Sequence, residues 1–354
     1  MERISRKREH VEHALAAGQS GEHGLDDVKF IHNCLPGIGK QDIALQTTVG
    51  GLTMSSPIVV NAMTGGAKET HSINRVLGMI AQETGLAMAV GSQMAAVKDP
   101  ALIDTYRIAR KVNPKGILLA NLGAEASPSM AKQAIEMIEA DGLQIHLNVM
   151  QELIMPEGDR DFSGAARRIE KIVKEVDVPV IVKEVGFGIS REAAARLTDC
   201  GVSVIDVGGR GGTNFAQIEN ARRKLPYEML NSWGITTAAS LLEVSEYAGA
   251  LDVMATGGIR TAIEAAASIA LGASAVGMAG AFLRYAVEEK VVEAVSYVQT
   301  LHNQLEIIMT ALGAATVKQL QSVPLVITGD TYHWAAMRGI DCSLWARRTM
   351  RTME

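Results

Sequence analysis

The chain has 354 residues, of which 47% are hydrophobic and 4% are aromatic, and its formal net charge is −5. This length fits either two domains or one α/β barrel with extensions. The negative charge and the few aromatic rings argue against nucleic-acid binding, which relies on cationic contacts to phosphates and on base stacking.

Targeting and redox signals are weak. Cys34, Cys200 and Cys342 are far apart and form no CxxC pair, which favours a reducing cytoplasm over a disulfide framework or a cysteine-rich zinc site. The amino-terminal stretch MERISRKREHVEHAL is basic, but no apolar stretch follows it, so we expect no secretory signal. Residues 265–283 are uncharged but rich in Ala, Gly and Ser, whereas a membrane span needs about 20 strongly apolar residues. We expect a cytoplasmic protein with no nucleic-acid or membrane partner.

From residue 57 onward, short apolar runs alternate with longer amphipathic stretches. The stretch SREAAARLTDCG carries helix signals at both ends, with Ser190 at its start, Glu192 in its first turn and Gly201 at its end. Eight strand–helix units in series predict a parallel (β/α)8 TIM barrel rather than an open sheet. We predict a single domain over 1–354, with an amino-terminal arm (1–56), the barrel (57–283) and a mostly helical extension (284–354). The apolar runs are 57–61, 86–90, 116–121, 143–148, 179–183, 202–207, 251–256 and 275–278.

The predicted strands end in polar residues or glycine, at the end of a barrel where active sites lie. In the fourth strand, alternation places Gln144, His146 and Asn148 on one face and apolar residues on the other. We predict that this polar column faces the barrel interior and belongs to a site. The alternative is a satisfied hydrogen-bond network within the core.

Lys183 interrupts the apolar run VPVIVKEVG. One interpretation is that it lies past the strand end and reaches solvent along its aliphatic stem. The other is that an anion at the top of the barrel offsets the cost of burying its ammonium group. Glu184 has the opposite parity, so we expect it to face away.

The seventh and eighth units carry glycines where this fold usually binds phosphate. Gly257 and Gly258 allow close approach of the backbone, and Thr261 can cap the next helix. Arg260 stands beside that helix start, where an anion is favoured, and Gly280 belongs to the loop after the eighth strand. We predict a phosphate cradle here.

With these residues in view, the sequence resembles the type 2 isopentenyl-diphosphate isomerases, FMN-dependent barrels that interconvert isopentenyl and dimethylallyl diphosphate. The resemblance runs from RKREH (6–10) through LPGI (35–38) to GMAGAFL (277–283). It rests on NAMTGG, GSQ, HLNVMQE, GGRGGTNFAQIENAR and GGIRT together. Gly37 stands where the family pattern leads us to expect an acidic residue, and we know of no catalytic role there.

The resemblance implies a role for each matching residue. It implies a catalytic role for His146, Gln151 and Lys183, with His146 orienting substrate or relaying a proton. Arg6 and Lys7 would bind the substrate diphosphate, Gln151 would contact the substrate, and Glu152 would bind Mg²⁺. The residues implied in FMN binding are Ala62, Met63, Thr64, Ser92, Asn121, Lys183, Thr213, Gly258, Ile259, Arg260, Ala279 and Gly280.

The resemblance also implies the cofactors and the assembly. Reduced FMN would act as acid/base cofactor, by proton transfer at N5 or by a radical route, and the fixed ammonium of Lys183 would stabilise its anionic form. NADPH, or NADH, would reduce the flavin once, and Mg²⁺ would bind the diphosphate. The family assembles as homo-tetramers or homo-octamers.

Three alternative functions stay open. A flavin-dependent 2-hydroxyacid oxidase or dehydrogenase needs a histidine base in the loop after the sixth strand, which reads VGGRGGTN and contains no histidine. A nucleotide dehydrogenase needs a nucleophilic cysteine in the same region, but Cys200 precedes that strand. A non-catalytic phosphate-binding protein would not need the polar column of the fourth strand.

Overall fold

The computed structural model describes residues 21–68, 70–247 and 249–349. The strands, in chain order, are β1 (Val28–Phe30), β2 (Thr47–Val49), β3 (Leu52–Met54), β4 (Ile58–Val60), β5 (Ala87–Ala89), β6 (Leu118–Gly123), β7 (Gly142–Leu147), β8 (Val180–Glu184), β9 (Val204–Asp206), β10 (Asp252–Thr256), β11 (Ala275–Met278) and β12 (Leu325–Ile327). The α-helices are α1 (Thr70–Thr84), α2 (Met94–Lys98), α3 (Asp104–Val112), α4 (Pro128–Ile138), α5 (Val149–Ile154), α6 (Ala165–Glu175), α7 (Arg191–Asp199), α8 (Phe215–Ala221), α9 (Thr237–Val244), α10 (Ala262–Ala270), α11 (Gly280–Val287), α12 (Val291–Leu312), α13 (Val317–Leu320), α14 (Gly329–Met337) and α15 (Ser343–Ala346). Short 3₁₀ helices cover Leu25–Asp27, Lys40–Asp42, Pro100–Leu102, Glu228–Leu230 and Ser245–Tyr247.

Strands β4 to β11 close into a barrel in which every neighbouring pair is parallel. The predicted TIM barrel is therefore confirmed, and the strand ends differ from the predicted apolar runs by at most two residues. Ser190 caps α7 by accepting a hydrogen bond from Ala193 N, as its position at the start of SREAAARLTDCG predicts. Within 265–283, helix α10 ends before strand β11 begins, and no helix of the described residues is long and apolar enough to cross a membrane.

The half of the barrel interior nearest the amino-terminal strand ends is apolar. Alternate strand residues point inward. The hairpin of β2 and β3 closes this end, and the N–H of Gly50 at its turn donates to the Asp252 carboxylate at 2.7 Å. Each fully buried Val, Leu, Ile or Met side chain in this half contributes about 1.5–3 kcal/mol. The cluster contains Val49, Met54, Val59, Ala87, Ala89, Leu119, Ile181, Val204, Met254 and Ala275.

The arm and the carboxy-terminal extension pack together outside the barrel. Strand β1 of the arm pairs antiparallel with β12 of the extension, with Val28 opposite Ile327. Helix α12 lies against α10 and α1 and ends at Gly313, whose φ of 73° is the left-handed conformation common after helices. Both termini of the described chain are thereby tied to the barrel wall.

Candidate active site

A layer of polar side chains lies directly above the apolar cluster. Five of its six members stand two residues beyond a residue of the apolar cluster, and the sixth, Gln144, stands two residues beyond Gly142, so strand alternation places all six inside the barrel. The absence of a side chain at Gly277 leaves room for this layer, because a Cβ there would clash with the Thr256 side chain at 2.4 Å. The six members, each at most 7% exposed, are Asn61, Asn121, Gln144, Lys183, Asp206 and Thr256.

Hydrogen bonds join five side chains across the interior. Asn61 Nδ2 donates to Asp206 Oδ2 at 3.0 Å, and Gln144 Nε2 donates to Asn61 Oδ1 at 2.9 Å. Asn121 Nδ2 donates to Gln144 Oε1 at 3.0 Å, and Asn121 Oδ1 lies 2.9 Å from His146 Nδ1. The predicted column of the fourth strand is therefore part of a satisfied network that reaches from Asp206 to His146. The alternative of a satisfied hydrogen-bond network is therefore confirmed for Gln144 and His146, and the assignment of this network to a site stays a prediction.

Lys183 and Asp206 place opposite charges in this layer. They are register partners on β8 and β9. The ammonium of Lys183 donates to the Glu184 carbonyl at 2.7 Å, and its 7% exposure excludes the interpretation in which it reaches solvent. Burial raises the pKa of Asp206, while the Lys183 charge and the hydrogen bond from Thr256 act in the opposite direction.

His146 lies at the upper end of the hydrogen-bond chain and is partly exposed. Burial of the ring and then the Lys183 charge lower its pKa to about 3, against the opposing influence of the Leu122 carbonyl. The ring is therefore neutral near pH 7.

Glu184 faces away from the layer, as its parity predicts, but its carboxylate is buried in the turn that follows β8. Its Oε2 accepts hydrogen bonds from the N–H groups of Val185, Gly186 and Phe187, at 2.6, 2.8 and 2.6 Å. Burial raises its pKa to about 7 even though these hydrogen bonds act to lower it. This carboxylate holds the turn between the lysine strand and the loop beyond.

Helix α5 carries the candidate metal ligand. The predicted run 143–148 includes Asn148 in the fourth strand, and this prediction is wrong. Strand β7 ends at Leu147, and Asn148 is the N-cap residue of α5. Its Nδ2 donates to Glu152 Oε1 at 2.9 Å, and Asp159 N donates to Glu152 Oε2 at 2.8 Å. No cluster of three or more metal-binding side chains occurs among residues 21–68, 70–247 and 249–349. Mg²⁺ commonly takes one or two protein carboxylates and completes its shell with phosphate oxygens and water, which Glu152 can support.

Gln151 contacts a carboxylate that the sequence interpretation missed. Its Nε2 donates at 3.1 Å to Oε1 of Glu219, which is fully buried on α8. Glu219 is charge-paired with Arg222 at 2.5 Å, and Arg222 also reaches Glu157 at 2.6 Å. The motif GGRGGTNFAQIENAR contains Glu219, but only the tertiary contact with Gln151 distinguishes it from a surface glutamate.

The loops after β9 and β10 pack tightly at the predicted phosphate cradle. Gly257 and Gly258 have φ values of 113° and 81°. A Cβ would lie 2.1 Å from Gly209 O at the first and 2.4 Å from Gly211 O at the second, so both positions require glycine. The N–H groups of Gly258 and Ile259 have no acceptor within the described chain. Two adjacent backbone N–H groups without an acceptor can bind an anion.

The start of α10 is already occupied by a side chain of the protein. Glu264 Oε2 accepts from the N–H groups of Arg260 and Thr261 at 2.7 and 3.0 Å, and its Oε1 pairs with His23 Nε2 at 3.3 Å. Burial opposes ionisation, but these hydrogen bonds hold the pKa of Glu264 at about 2. The guanidinium of Arg260 donates to Gly211 O at 2.8 Å. Arg260 therefore joins the two loops, and its own N–H is not available to a phosphate.

The remaining predicted flavin residues lie in the loops at the same end of the barrel. Gly91 N donates to Thr64 O at 3.2 Å, which brings 62–64 beside Ser92. A Cβ at Gly186 would lie 3.0 Å from Thr213 O, so the loops after β8 and β9 are adjacent. Three further predicted positions follow the same pattern. They are Ala62 and Met63 after β4, and Ala279, the N-cap residue of α11 before Gly280.

Arg6 and Lys7, the predicted diphosphate-binding residues, lie outside the described residues. Asn61, Asp206 and Thr256 belong to the polar layer but were not predicted. The i, i+2 alternation that identified Gln144 and His146 identifies these three as well, once it is applied to the other strands.

The interior fits FMN. The free N–H groups of Gly258 and Ile259 suit a phosphate, and buried Lys183 suits an anionic ring system. The amide side chains between them supply the donors and acceptors that a flavin ring and its ribityl chain require.

Comparisons with known proteins agree with this geometry. A family model described as FMN-dependent dehydrogenase matches residues 111–326. A mandelate oxidase variant has a TM-score of 0.62 with 18% identity over 90% of this chain and 95% of that one. A flavocytochrome b2 variant has a TM-score of 0.64 with 16% identity over 98% and 86%. These structures show the shared fold.

Relatives named isopentenyl-diphosphate delta-isomerase are much more similar. One from Geobacillus sp. (strain WCH70) is 55% identical over 98% of this chain and 100% of its own length. Those from Bacillus licheniformis and Bacillus pumilus are 53% and 51% identical, over 98% and 99% of this chain and 100% and 99% of their own lengths. The chain therefore belongs to the family of enzymes named isopentenyl-diphosphate delta-isomerase, on the barrel of the FMN-dependent dehydrogenases.

Proposed function

We propose that this protein interconverts isopentenyl diphosphate and dimethylallyl diphosphate, a 1,3-allylic rearrangement of isoprenoid biosynthesis, with reduced FMN as acid/base cofactor and Mg²⁺ on the diphosphate. The observation that carries the proposal is the buried Lys183 in the polar layer, beside a loop after β9 that contains no histidine. The names of relatives at 51–55% identity over nearly the full chain support the same substrates.

The reaction adds a proton at one carbon and removes one from another, with no net oxidation. Reduced FMN supplies a site at N5 that can give and take a proton. Lys183 would stabilise negative charge along the N1–C2=O edge, because a fixed ammonium in a water-poor interior interacts strongly with an anion. Glu184 fixes the turn that follows, so the lysine is held in one place.

The diphosphate would bind across the mouth from the flavin phosphate. Glu152 would hold Mg²⁺, and Gln151, positioned by Glu219, would contact the substrate together with Arg6 and Lys7. NADPH would be needed only to bring the flavin to its reduced state. We further propose that the protein assembles as a homo-tetramer or homo-octamer, which sedimentation analysis tests.

A 2-hydroxyacid oxidase or dehydrogenase is the second candidate, because the fold and the FMN-dependent dehydrogenase model are shared with such enzymes. Its chemistry requires a histidine base beside the loop after β9. His23 is next to that loop, but both its nitrogens are engaged, since Leu25 N donates to Nδ1 at 3.0 Å and Nε2 pairs with Glu264. The residue is also 4% exposed, so it is not available as a base.

Anaerobic turnover distinguishes the two candidates. One equivalent of NADPH per flavin is expected to support many turnovers of isopentenyl diphosphate with Mg²⁺, and in D₂O deuterium is expected in the allylic product. NADPH consumption equal to product formed, or turnover of 2-hydroxyacids with acceptor reduction, contradicts the isomerase proposal.

A further inference from the structure

The chain of amides beneath the barrel mouth has a fixed direction. Each amide side chain has one donor end and one acceptor end, so the orientation of one decides the orientation of the next. At the lower end stands the Asp206 carboxylate, an acceptor that faces Asn61 Nδ2 at 3.0 Å. On the other side of the same amide, Ala62 N donates to Asn61 Oδ1 at 2.8 Å. A backbone N–H can only donate, so Asn61 is held in one orientation from both sides.

The orientation of Asn61 fixes the orientation of Gln144 and then that of Asn121. Because Asn61 Oδ1 accepts, Gln144 must present its Nε2 to it, and Gln144 Oε1 must then accept from Asn121 Nδ2. Asn121 Oδ1 is therefore the atom that faces His146 Nδ1 at 2.9 Å. A carbonyl oxygen requires a donor, so the proton of the neutral imidazole lies on Nδ1.

The opposite ring nitrogen is left as an acceptor. His146 Nε2 makes no hydrogen bond to the described residues, and the ring is partly exposed at the barrel mouth. Burial and the Lys183 charge disfavour a second ring proton and outweigh the Leu122 carbonyl, which favours one. His146 thus offers a lone pair, not a proton, to a bound molecule.

Isopentenyl diphosphate and FMN differ in the hydrogen-bond donors that they can offer to His146 Nε2. When its diphosphate is fully ionised on Mg²⁺, isopentenyl diphosphate has oxygen acceptors and hydrocarbon but no N–H or O–H donor of its own. FMN carries an N3–H group and ribityl hydroxyls. We infer that the Asp206–Asn61–Gln144–Asn121 chain fixes His146 as a hydrogen-bond acceptor for the flavin, so that His146 positions the cofactor and neither binds nor protonates the substrate. This inference rests on the proposed function for the identity of both ligands.

The first test is ¹⁵N NMR of the holoprotein labelled at histidine, with the His146 signals assigned by their loss in His146→Gln. We expect a protonated Nδ1 and an unprotonated Nε2 at pH 7. Addition of Mg²⁺ and isopentenyl diphosphate is expected to leave the Nε2 resonance unmoved. A protonated Nε2, or a large Nε2 shift caused by the diphosphate, overturns the inference.

Variants test the chain itself. Gln144→Met removes the link between Asn61 and Asn121, so Asn121 can flip and the Nε2–H form is expected to appear. Thr256→Val is the matched control, because Thr256 donates to Asp206 from outside the Asp206–His146 path. It is expected to keep the wild-type tautomer. A pure Nδ1–H form in Gln144→Met refutes the role of the chain, and the wild-type spectrum decides the tautomer even if this variant does not fold.

Ligand affinities give the last readout. His146→Phe is expected to weaken FMN retention roughly tenfold, the loss of one hydrogen bond of about 1.4 kcal/mol, with the KM for isopentenyl diphosphate within about twofold. His146→Gln, which keeps an acceptor oxygen, is expected to recover part of the FMN affinity. A raised KM with unchanged FMN retention contradicts the inference. The tautomer and the FMN retention do not depend on isomerase turnover, so absent turnover would refute the proposed function alone.

Discussion

Lys183 is a charged side chain in a nearly closed interior, and its surroundings determine what its loss would do. It lies beside Asp206 and donates only to the Glu184 carbonyl within the described chain. In the proposed complex, Lys183→Ala removes the cation that would lie beside the anionic reduced flavin. We expect the flavin potential to fall by on the order of 30 mV or more, equivalent to about 1.4 kcal/mol for two electrons, and turnover to fall roughly 100-fold or more.

The measurements are spectroelectrochemical titration and anaerobic kinetics. Lys183→Arg is expected to rescue poorly, since a planar guanidinium differs in shape from an ammonium group. Lys174→Ala, which removes an exposed lysine on α6, is the control and should leave both values unchanged. An unchanged potential in Lys183→Ala would show that the lysine does not face the flavin.

At the scale of one element, the turn after β8 links pH to stability through Glu184. Its folded pKa of about 7 lies above its ordinary value of 4.5, so the folded protein holds this proton more tightly than the unfolded chain. Its contribution to stability is full below about pH 4.5 and is lost as pH rises through about 7. In Glu184→Gln, we expect the free energy of unfolding to decline less over that interval, as measured by urea denaturation.

Glu170→Gln is the control for that slope. The pKa of Glu170 is lowered by its hydrogen bond to Lys174, so it titrates below the interval concerned. Its replacement should leave the slope between pH 4.5 and 7 as in the wild type. Equal slopes in wild type and Glu184→Gln would show that Glu184 is ionised throughout.

The loop after β10 gives a second prediction at this scale. Gly257→Ala places a Cβ 2.1 Å from Gly209 O, so the loops after β9 and β10 must separate and FMN affinity should fall more than about tenfold. Gly272→Ala is a matched control, because Gly272 has a φ of 122° and open space around it. It should cost about 1–3 kcal/mol of backbone strain and leave FMN affinity unchanged. FMN binding is measured by fluorescence titration, and equal losses in both variants would exclude the loop contact as the cause.

The elements show where sequence reasoning succeeds. A buried parallel strand is a continuous apolar run and a capped helix has local signals, so the barrel and the cap at Ser190 were predictable. The layer residues Asn61 and Asp206 were also accessible through alternation along their strands. The Gln151–Glu219 contact and the capture of the α10 start by Glu264 were not, because each depends on how distant segments pack.

At the scale of the whole molecule, the barrel separates Glu152, the proposed Mg²⁺ ligand, from the proposed phosphate cradle. In the ring of eight strands, β7 lies four places from β11 and so stands opposite it. Glu152 follows β7, whereas the loops of the phosphate cradle follow β10 and β11. Groups this far apart with no shared partner contribute independently.

We therefore expect Glu152→Gln to lose activity and Mg²⁺ dependence, and to require more substrate, while it retains FMN at the wild-type level. The physical reason is that a neutral amide is a weak ligand for a hard divalent cation, although its oxygen can still accept from Asn148 and preserve the local fold. Mg²⁺ titration of turnover and flavin absorbance after dialysis measure the two properties. Glu175→Gln, an exposed carboxylate on α6, is the control that should change neither. Loss of FMN together with the Mg²⁺ response would mean that the two ends of the site are coupled, and would place Glu152 on the flavin side of the barrel.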